Sequence, residues 1–323
     1  MKIVVLDGYT LNPGDLSWEK LESLGDLTVY DRTAEKDVVE RAEGADIILT
    51  NKTIVSREAI AALPVLKYIG IIATGFNIVD IEAASEKDIP VCNVRGYGTG
   101  SVAQHAFALL LELTNQCGLH AQSVRDGGWH TSKDFCYWEK PMMELEGKTL
   151  GIIGLGRIGR KTASIALGFG MKVMAFHTHP EDVMEGVSFT DLETLFSHSD
   201  VLSLHCPLTP ENEGMINQST LKKMKNTAFL INTSRGGLIN HDDLALALEK
   251  GDIAGAGLDV FSVEPPVENH RLFSMDNCFI TPHHSWATKE ARERLMQGVV
   301  ENVRAFISGK VQHAVNRHTN HVK

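Results

Sequence analysis

Three polar residues, each just past an apolar run, stand out for what their side chains can do together. Arg235 lies in Ile231-Asn-Thr-Ser-Arg235-Gly-Gly237, Glu264 in Asp259-Val-Phe-Ser-Val-Glu264-Pro-Pro266, and His283 in Thr281-Pro-His283-His-Ser-Trp286. Taken singly, each has an ordinary reading: a solvated loop charge, an exposed acid before a turn, a satisfied polar residue after a strand. Taken together they could move a proton on and off an oxygen beside a carboxylate. A histidine titrates near neutrality and can take and return that proton. A carboxylate on its other ring nitrogen fixes the tautomer and stabilises the imidazolium. An arginine offers a planar fork that holds a substrate carboxylate and polarises a neighbouring carbonyl. With a hydride acceptor held against the same carbon, the set would interconvert a 2-hydroxy acid and a 2-oxo acid.

A hydride carrier has its own signature in Thr149-Leu-Gly-Ile-Ile-Gly154-Leu-Gly156-Arg157-Ile-Gly159-Arg160. Gly154-x-Gly156-x-x-Gly159 has dinucleotide-binding spacing: a tight turn, a close backbone approach to pyrophosphate, and close packing of helix on strand. The N–H groups and positive dipole end of the helix that follows would face the phosphates. A strand precedes the loop, an amphipathic helix (Ala163, Ile165, Ala166, Phe169) follows, and the strand Lys172–Phe176 closes a βαβ unit. The alternative is a close-packed βα turn that binds nothing.

The elements that must position these groups alternate regularly. In the first hundred residues, strands at Lys2–Leu6, Leu27–Tyr30, Ala45–Thr50, Lys67–Ala73 and Val91–Val94 are separated by helices near Trp18–Leu24, Asp37–Glu43, Ser56–Leu63 and Val79–Lys87. Strict alternation with short loops predicts a parallel sheet covered on both faces. Its loops Thr50-Asn51-Lys52 and Ala73-Thr74-Gly75-Phe76-Asn77 fall at strand carboxyl ends, where ligands sit in such sheets. Ser101-x-x-Gln104 has capping-box form ahead of a long helix carrying Val102, Ala106, Leu109, Leu110 and Leu113. From Gly118 to Gly147 the pattern is irregular and aromatic, with Trp129, Phe135, Cys136, Tyr137, Trp138 and Pro141-Met142-Met143. So many large apolar side chains outside a regular element predict an arm covered by a partner subunit; the alternative is an arm folded back on its own domain.

After the glycine loop, Thr190-x-x-Glu193 predicts a cap for a short helix ending at His198. Strands Val201–His205, Ala228–Asn232, Ile253–Leu258 and Cys278–Ile280 alternate with helices near Gln218–Met224 and Asp242–Glu249, making a second, larger doubly wound sheet. A last amphipathic helix, Lys289–Ile307, is long enough to return to the first domain. The polar, histidine-rich tail from Val311 is expected at the surface or frayed. The architecture predicted is α/β, two doubly wound parallel-sheet domains. Residues 1–98 with 288–323 form one domain. Residues 99–287, with a dimerisation arm near 118–147, form the other, and a small-molecule cleft is expected at the interface.

Composition narrows the partners. A net charge of −10 argues against nucleic acid and anionic membranes, both of which reward clustered Lys and Arg. No apolar run reaches transmembrane length, and Met1-Lys2 leads directly into a strand, so the expected address is cytoplasmic. The cysteines Cys92, Cys117, Cys136, Cys206 and Cys278 are scattered without a C-x-x-C, which suggests neither zinc nor a disulfide framework. Histidine pairs at His177 with His179 and His283 with His284 lack a third clustered ligand, so no metal is expected.

At this point the sequence resembles the D-isomer-specific 2-hydroxyacid dehydrogenases over nearly its whole length. The motifs are Gly75-Phe-Asn-Ile-Val-Asp80, Val102-Ala-Gln-His, Gly151-Ile-Ile-Gly-Leu-Gly-Arg-Ile-Gly159, Leu204-His-Cys-Pro-Leu-Thr209, Asn232-Thr-Ser-Arg-Gly236, Gly257-Leu-Asp-Val-Phe261, Glu264-Pro and Thr281-Pro-His283. The resemblance implies a flavodoxin-like substrate domain and a Rossmann domain for NAD or NADP. It implies that Arg235 binds substrate, His283 is the acid/base and Glu264 its carboxylate partner. Backbone at Thr74 and Gly75 would receive the substrate carboxylate. Gly154, Gly156, Gly159, Arg157 and Ile158 would lie along the pyrophosphate. His177, His205 and Pro207 would line the cofactor, Thr233 and Ser234 would face the nicotinamide ring, and Asp259 would meet its carboxamide. Ser101 to Leu110, the Phe135-Cys-Tyr-Trp138 arm and Trp286 look like the glycerate dehydrogenase (hydroxypyruvate reductase) branch. There an arm tryptophan, here Trp138, would approach the neighbouring subunit's active site in a homodimer. Lys52 is a further cation at a strand end, with a solvated lysine as its alternative.

One departure concerns the cofactor. The dinucleotide fingerprint calls for an acid about 20 positions past the glycines, on the ribose 2′-hydroxyl. Here the strand ends in His177-Thr178-His179, with neither a carboxylate to repel a 2′-phosphate nor an arginine to attract one. Both ribose forms stay open, with NAD slightly ahead. From another functional class, an NAD(H)-sensing corepressor of the same fold is the rival reading, disfavoured by the full set of proton-transfer and substrate-binding groups. A phosphoglycerate dehydrogenase is disfavoured because no regulatory domain follows the last helix. A formate dehydrogenase is disfavoured because it moves no hydroxyl proton.

Overall fold

The computed structural model describes residues 1–178 and 183–316, which form two compact units. Unit 1 comprises Met1–Gly98 with the chain from Ala287 onward, and unit 2 comprises Thr99–Trp286. Their chain limits differ by one residue from the sequence boundary at 287/288.

In unit 1 the strands β1 (Lys2–Val5), β2 (Asp26–Val29), β3 (Ile47–Thr50), β4 (Tyr68–Ile71) and β5 (Val91–Cys92) pair in parallel in the order β2-β1-β3-β4-β5. This is the flavodoxin-like order, with its switch point between β1 and β3. β3 and β4 are buried at every position, which explains their continuous apolar runs. The helices α1 (Glu19–Glu22), α2 (Val38–Arg41), α3 (Arg57–Ala62) and α4 (Ile81–Glu86) are short. Ser56 caps α3 on Ala59 N, and Asp80 caps α4 on Ala83 N. The last helix, α11 (Lys289–Ile307), packs against β4 and completes the unit. Beyond it Ala314 bridges Cys92 in antiparallel sense, and Val315 N donates to Val91 O (2.8 Å). The histidine-rich end of the tail, from 317 onward, lies outside the described residues.

Unit 2 holds β6 (Thr149–Ile153), β7 (Lys172–Phe176), β8 (Val187–Phe189), β9 (Val201–Leu204), β10 (Phe229–Asn232), β11 (Gly255–Leu258) and β12 (Cys278–Ile280). They pair in parallel as β12-β11-β10-β9-β6-β7-β8, so strand order reverses between β6 and β9. On one face α5 (Thr99–Asn115) and α7 (Arg157–Gly168) bury Leu109, Leu110, Leu113, Ala163 and Ala166. On the other, α8 (Leu192–His198), α9 (Gln218–Leu221) and α10 (His241–Lys250) bury Leu195, Phe196, Leu221, Leu244 and Leu248. Each such leucine contributes about 2 kcal/mol by leaving water, which holds the sheet rigid under its loops.

Three local expectations are corrected. Ser101 does not cap α5: the helix begins at Thr99, and Ser101 Oγ instead donates to Ser285 O (2.5 Å). The cap of α8 is Asp191, one residue on from Thr190, accepting from Thr194 N (2.7 Å). The supposedly irregular arm begins with a helix, α6 (Cys117–Arg125). Its later part is tied back by Tyr137 OH to Ser123 Oγ (2.9 Å) and Glu139 N to His120 Nε2 (3.1 Å). Phe135 and Trp138 nonetheless stand 89% and 64% exposed, so these ties leave the aromatic surface uncovered within the chain.

Candidate active site

Because every strand of unit 2 runs in parallel, its carboxyl ends share one edge, and the expected site residues of this unit other than Trp138 fall there. Gly154 follows β6, His177 follows β7, and His205 and Pro207 follow β9. Thr233, Ser234 and Arg235 follow β10, Asp259 to Glu264 follow β11, and Thr281 to His283 follow β12. This is the edge at which open α/β sheets bind ligands, and β6/β9 is its switch point.

The glycine loop fits a dinucleotide. Gly154 has φ +97°, and a Cβ there would lie 2.7 Å from Cys206 N, so the turn presses on the segment leaving β9. A Cβ on Gly159 would lie 2.1 Å from Gly154 O, so only glycine lets α7 sit this close. Gly156, the helix N-cap, is exposed, brings no side-chain acceptor, and has open space where a Cβ would project. The first-turn amides of Arg157, Ile158 and Gly159 therefore need an outside acceptor, which a pyrophosphate would be. Two more observations agree with a bound partner. Thr233 Oγ1 and His205 Nδ1 are among the few buried side-chain polar atoms without a hydrogen-bond partner among the described residues. His205 Nε2 is occupied by Ser203 Oγ (2.9 Å), and burial pushes its imidazole down to about 4, which keeps the ring neutral. His177 is half-buried at the end of β7; the neighbouring His179 lies outside the described residues.

His283 and Glu264 form the central contact. His283 Nδ1 lies 2.5 Å from Glu264 Oε2, and the other carboxylate oxygen accepts from Phe261 N (2.9 Å). Each side chain keeps a little over a quarter of its surface exposed, so the pair faces outward from a mostly desolvated setting. His283 has φ +50°, an uncommon conformation for a residue with a Cβ. Trp286 Nε1 donates to His283 O (2.9 Å). Arg235 is exposed, with Nη1 on Ser234 O (2.7 Å), and Asn232 organises its loop through Ser234 N (3.0 Å) and Arg235 O (2.8 Å). A Cβ on Gly236 would lie 2.0 Å from the Phe261 carbonyl carbon, so the arginine loop rests directly on the loop that carries Glu264.

Asp259 behaves differently from the sequence expectation of a cofactor contact. Its carboxylate is fully buried and accepts from Thr281 Oγ1 (2.7 Å), His284 N (3.0 Å) and Ser285 N (2.9 Å). In this conformation it braces the loop bearing His283. Sequence spacing also missed that His284 has neighbours: His105, Asp259 and His284 bring their ligating atoms within 4.8 Å of one another. These residues are far apart in the chain, and no local pattern could have joined them.

Lys52, Thr74 and Gly75 belong to unit 1. The amides of Asn51, Lys52 and Thr53 all point to the buried Asp7 carboxylate (2.7, 2.5 and 2.8 Å), which leaves the Lys52 side chain exposed at the end of β3. Thr74 is fixed by Asn93 Nδ2 on its carbonyl (2.6 Å) and by its own hydroxyl on Val94 O (2.9 Å). Asn93 O accepts in turn from Asn302 Nδ2 of α11 (3.0 Å). Trp138 lies on the arm of unit 2.

Comparison with known proteins adds the following. Residues 107–285 match the family model "D-isomer specific 2-hydroxyacid dehydrogenase, NAD binding domain". The chain is 48% identical over 322 residues to a hydroxypyruvate reductase of Blautia hydrogenotrophica, covering 98% of this chain and 100% of that protein. It is 41% identical over 317 residues to a glycerate dehydrogenase of Methylorubrum extorquens, covering 97% and 98%. Among solved structures it resembles an acyclic imino acid reductase (Bsp5) in complex with NADPH and D-Arg, with TM-score 0.86, 30% identity, and coverage of 98% and 100%.

Proposed function

The chain belongs to the D-isomer-specific 2-hydroxyacid dehydrogenases, NAD(P)-dependent enzymes, and on that premise we propose that it reversibly reduces hydroxypyruvate and glyoxylate to D-glycerate and glycolate. The observation that carries the reading is the 2.5 Å His283–Glu264 contact at the same sheet edge as Arg235 and the glycine loop. With Nδ1–H directed to Glu264, His283 has Nε2 left to give a proton to the carbonyl oxygen in reduction and to take it back in oxidation. Glu264 stabilises the ring while it is charged, and its second oxygen is held by Phe261 N, so the carboxylate does not turn away. Arg235 holds the substrate carboxylate and polarises the carbonyl. The nicotinamide, when bound, supplies or accepts the hydride at the substrate carbon. The glycine loop and the first turn of α7 hold its pyrophosphate, while Thr233, Ser234, His205 and Pro207 line its path.

The same reading assigns unit 1 as the substrate (lid) domain, with backbone at Thr74 and Gly75 receiving the carboxylate and Lys52 adding positive charge. Unit 2 is the cofactor domain, with its arm as the dimer contact and Trp138 reaching the partner's site. The exposed Phe135 and Trp138 support a homodimer, since isolated chains rarely leave so much aromatic surface in water. Both NAD and NADP remain candidate cofactors, NAD slightly favoured because the sequence His177-Thr178-His179 that follows β7 carries no Lys or Arg to attract a 2′-phosphate. A cytoplasmic address is supported by five free cysteines, which suit a reducing compartment. Among the described residues no helix is long and apolar enough to cross a membrane.

Steady-state kinetics with hydroxypyruvate, glyoxylate and pyruvate against NADH and NADPH tests this directly. The expected order places hydroxypyruvate or glyoxylate first, and His283→Ala should abolish turnover while leaving cofactor binding intact. Oxidation of neither cofactor with any oxo acid would overturn the enzymatic reading in favour of a nucleotide sensor.

A further inference from the structure

We infer that His105 is a positioning residue for His283, acting from α5 through Thr281 and Asp259; this rests on the reading of His283 as the proton-transfer group. His105 Nε2 lies 2.9 Å from Thr281 Oγ1, which lies 2.7 Å from Asp259 Oδ1. A count of protons orders the chain. The carboxylate oxygen has none to give, so the Thr281 hydroxyl donates to Asp259. That hydroxyl has only one proton, so His105 must donate to it through Nε2–H. The tautomer of His105 is thereby set. Burial favours its neutral form, and the His284 ring, edge-on at 4.9 Å, also disfavours a charge there, although Asp259 (3.6 Å) acts in the opposite sense.

The chain ends on the segment that carries His283. Asp259 accepts from the amides of His284 and Ser285, the two residues that follow it. Thr281, two residues before, is held by its own amide on Leu258 O (2.9 Å). His283 sits between these fixed points at φ +50°, a conformation that persists only where its surroundings over-determine it. A second tie comes from the same helix: Ser101, one turn before His105 and on the same face, donates to Ser285 O. α5 therefore grips the loop at two points. His105, Asp259 and His284 also lie close enough together to suggest a metal site. However, His105 Nε2 carries the proton that binds Thr281, and both Asp259 oxygens already accept hydrogen bonds. The cluster is a brace.

The test compares wild type, His105→Ala, His105→Gln, Thr281→Val and His283→Ala in the reduction direction, with competent sites counted by NADH fluorescence titration. His105→Ala should lower kcat per NADH-binding site by about tenfold or more, because the acid is no longer held in register with its carboxylate. The KM for NADH should stay the same. Thr281→Val should do the same. His105→Gln, which keeps an N–H donor at similar reach, should recover most of the lost kcat. A purely structural role would reduce the number of NADH-binding sites without changing kcat per site. That ratio does not depend on how much protein folds, so poor yield of one variant leaves the test intact. An unchanged kcat per site in both His105→Ala and Thr281→Val overturns the inference while leaving His283 in place. If His283→Ala retains turnover, the reading of His283 falls and this inference falls with it.

Discussion

Glu264→Gln removes the charge opposite His283 while keeping the shape of the side chain, and the structure says how the amide would sit. Glu264 Oε1 accepts from Phe261 N, whereas Oε2 faces His283 Nδ1. A backbone N–H will keep the amide oxygen, so the NH2 group must turn toward the imidazole. Nδ1 would then have to accept, and the ring proton would move to Nε2, the atom that has to exchange it with substrate. Loss of a charge-assisted hydrogen bond costs about 1.5–3 kcal/mol, or about 10- to 150-fold in rate. The inverted tautomer adds to this, so we expect kcat to fall by at least about 100-fold. The two directions should lose kcat/KM together, because the overall equilibrium is unchanged. NADH affinity, read by fluorescence titration, should hold. Turnover within about threefold of wild type would show that the 2.5 Å contact has no part in proton transfer.

Two further outcomes follow from the geometry. In Gly159→Ala, the new methyl would meet Gly154 O at 2.1 Å, so α7 must withdraw from the loop; NADH should bind at least about tenfold more weakly, and an unchanged Kd would count against the phosphate-cradle reading. His241 is buried against Phe261, with ring centroids 3.9 Å apart, and burial, with repulsion from His270, pushes it from 6.5 to about 4. Its folded state prefers the neutral ring, so its contribution to stability is present above about pH 6.5 and is lost as pH falls toward 4. That amounts to about 2 kcal/mol between pH 7 and pH 5. His241→Phe should shrink the acid-induced loss of unfolding free energy by that amount, and an equal loss in both proteins would refute the assignment.

The parallel α/β alternation was readable because buried strands such as β3 and β9 are unbroken apolar runs and the helices between them carry periodic stripes. Glu264 and His283 were readable because each lies a few residues past such a run. What escaped depends on contacts across the fold. Ser101 has the residue type of a cap, yet its hydroxyl is drawn to Ser285, a partner that no local pattern reveals. β8 is three residues long and only partly buried, too short for any period to register. α6 was obscured because it buries no side chain within the chain, so it lacks the stripe that marks a helix. The family resemblance alone implies that Asp259 meets the nicotinamide carboxamide. Only the fold shows its carboxylate occupied by Thr281, His284 and Ser285.

The discontinuity of unit 1 imposes an order of events during synthesis. Its five strands leave the ribosome before unit 2, but the helix that packs on β4 and the segment that bridges β5 leave after it. At roughly 5–20 residues per second, the apolar face awaiting α11 stays uncovered for roughly 10–40 s after Gly98 has been made. Unit 2 is continuous and can finish folding in that interval. The nascent chain should therefore present a complete nucleotide-binding fold attached to an unfinished one. Chaperone dependence and the sites of aggregation would concentrate in the strands of unit 1, although these are made before unit 2.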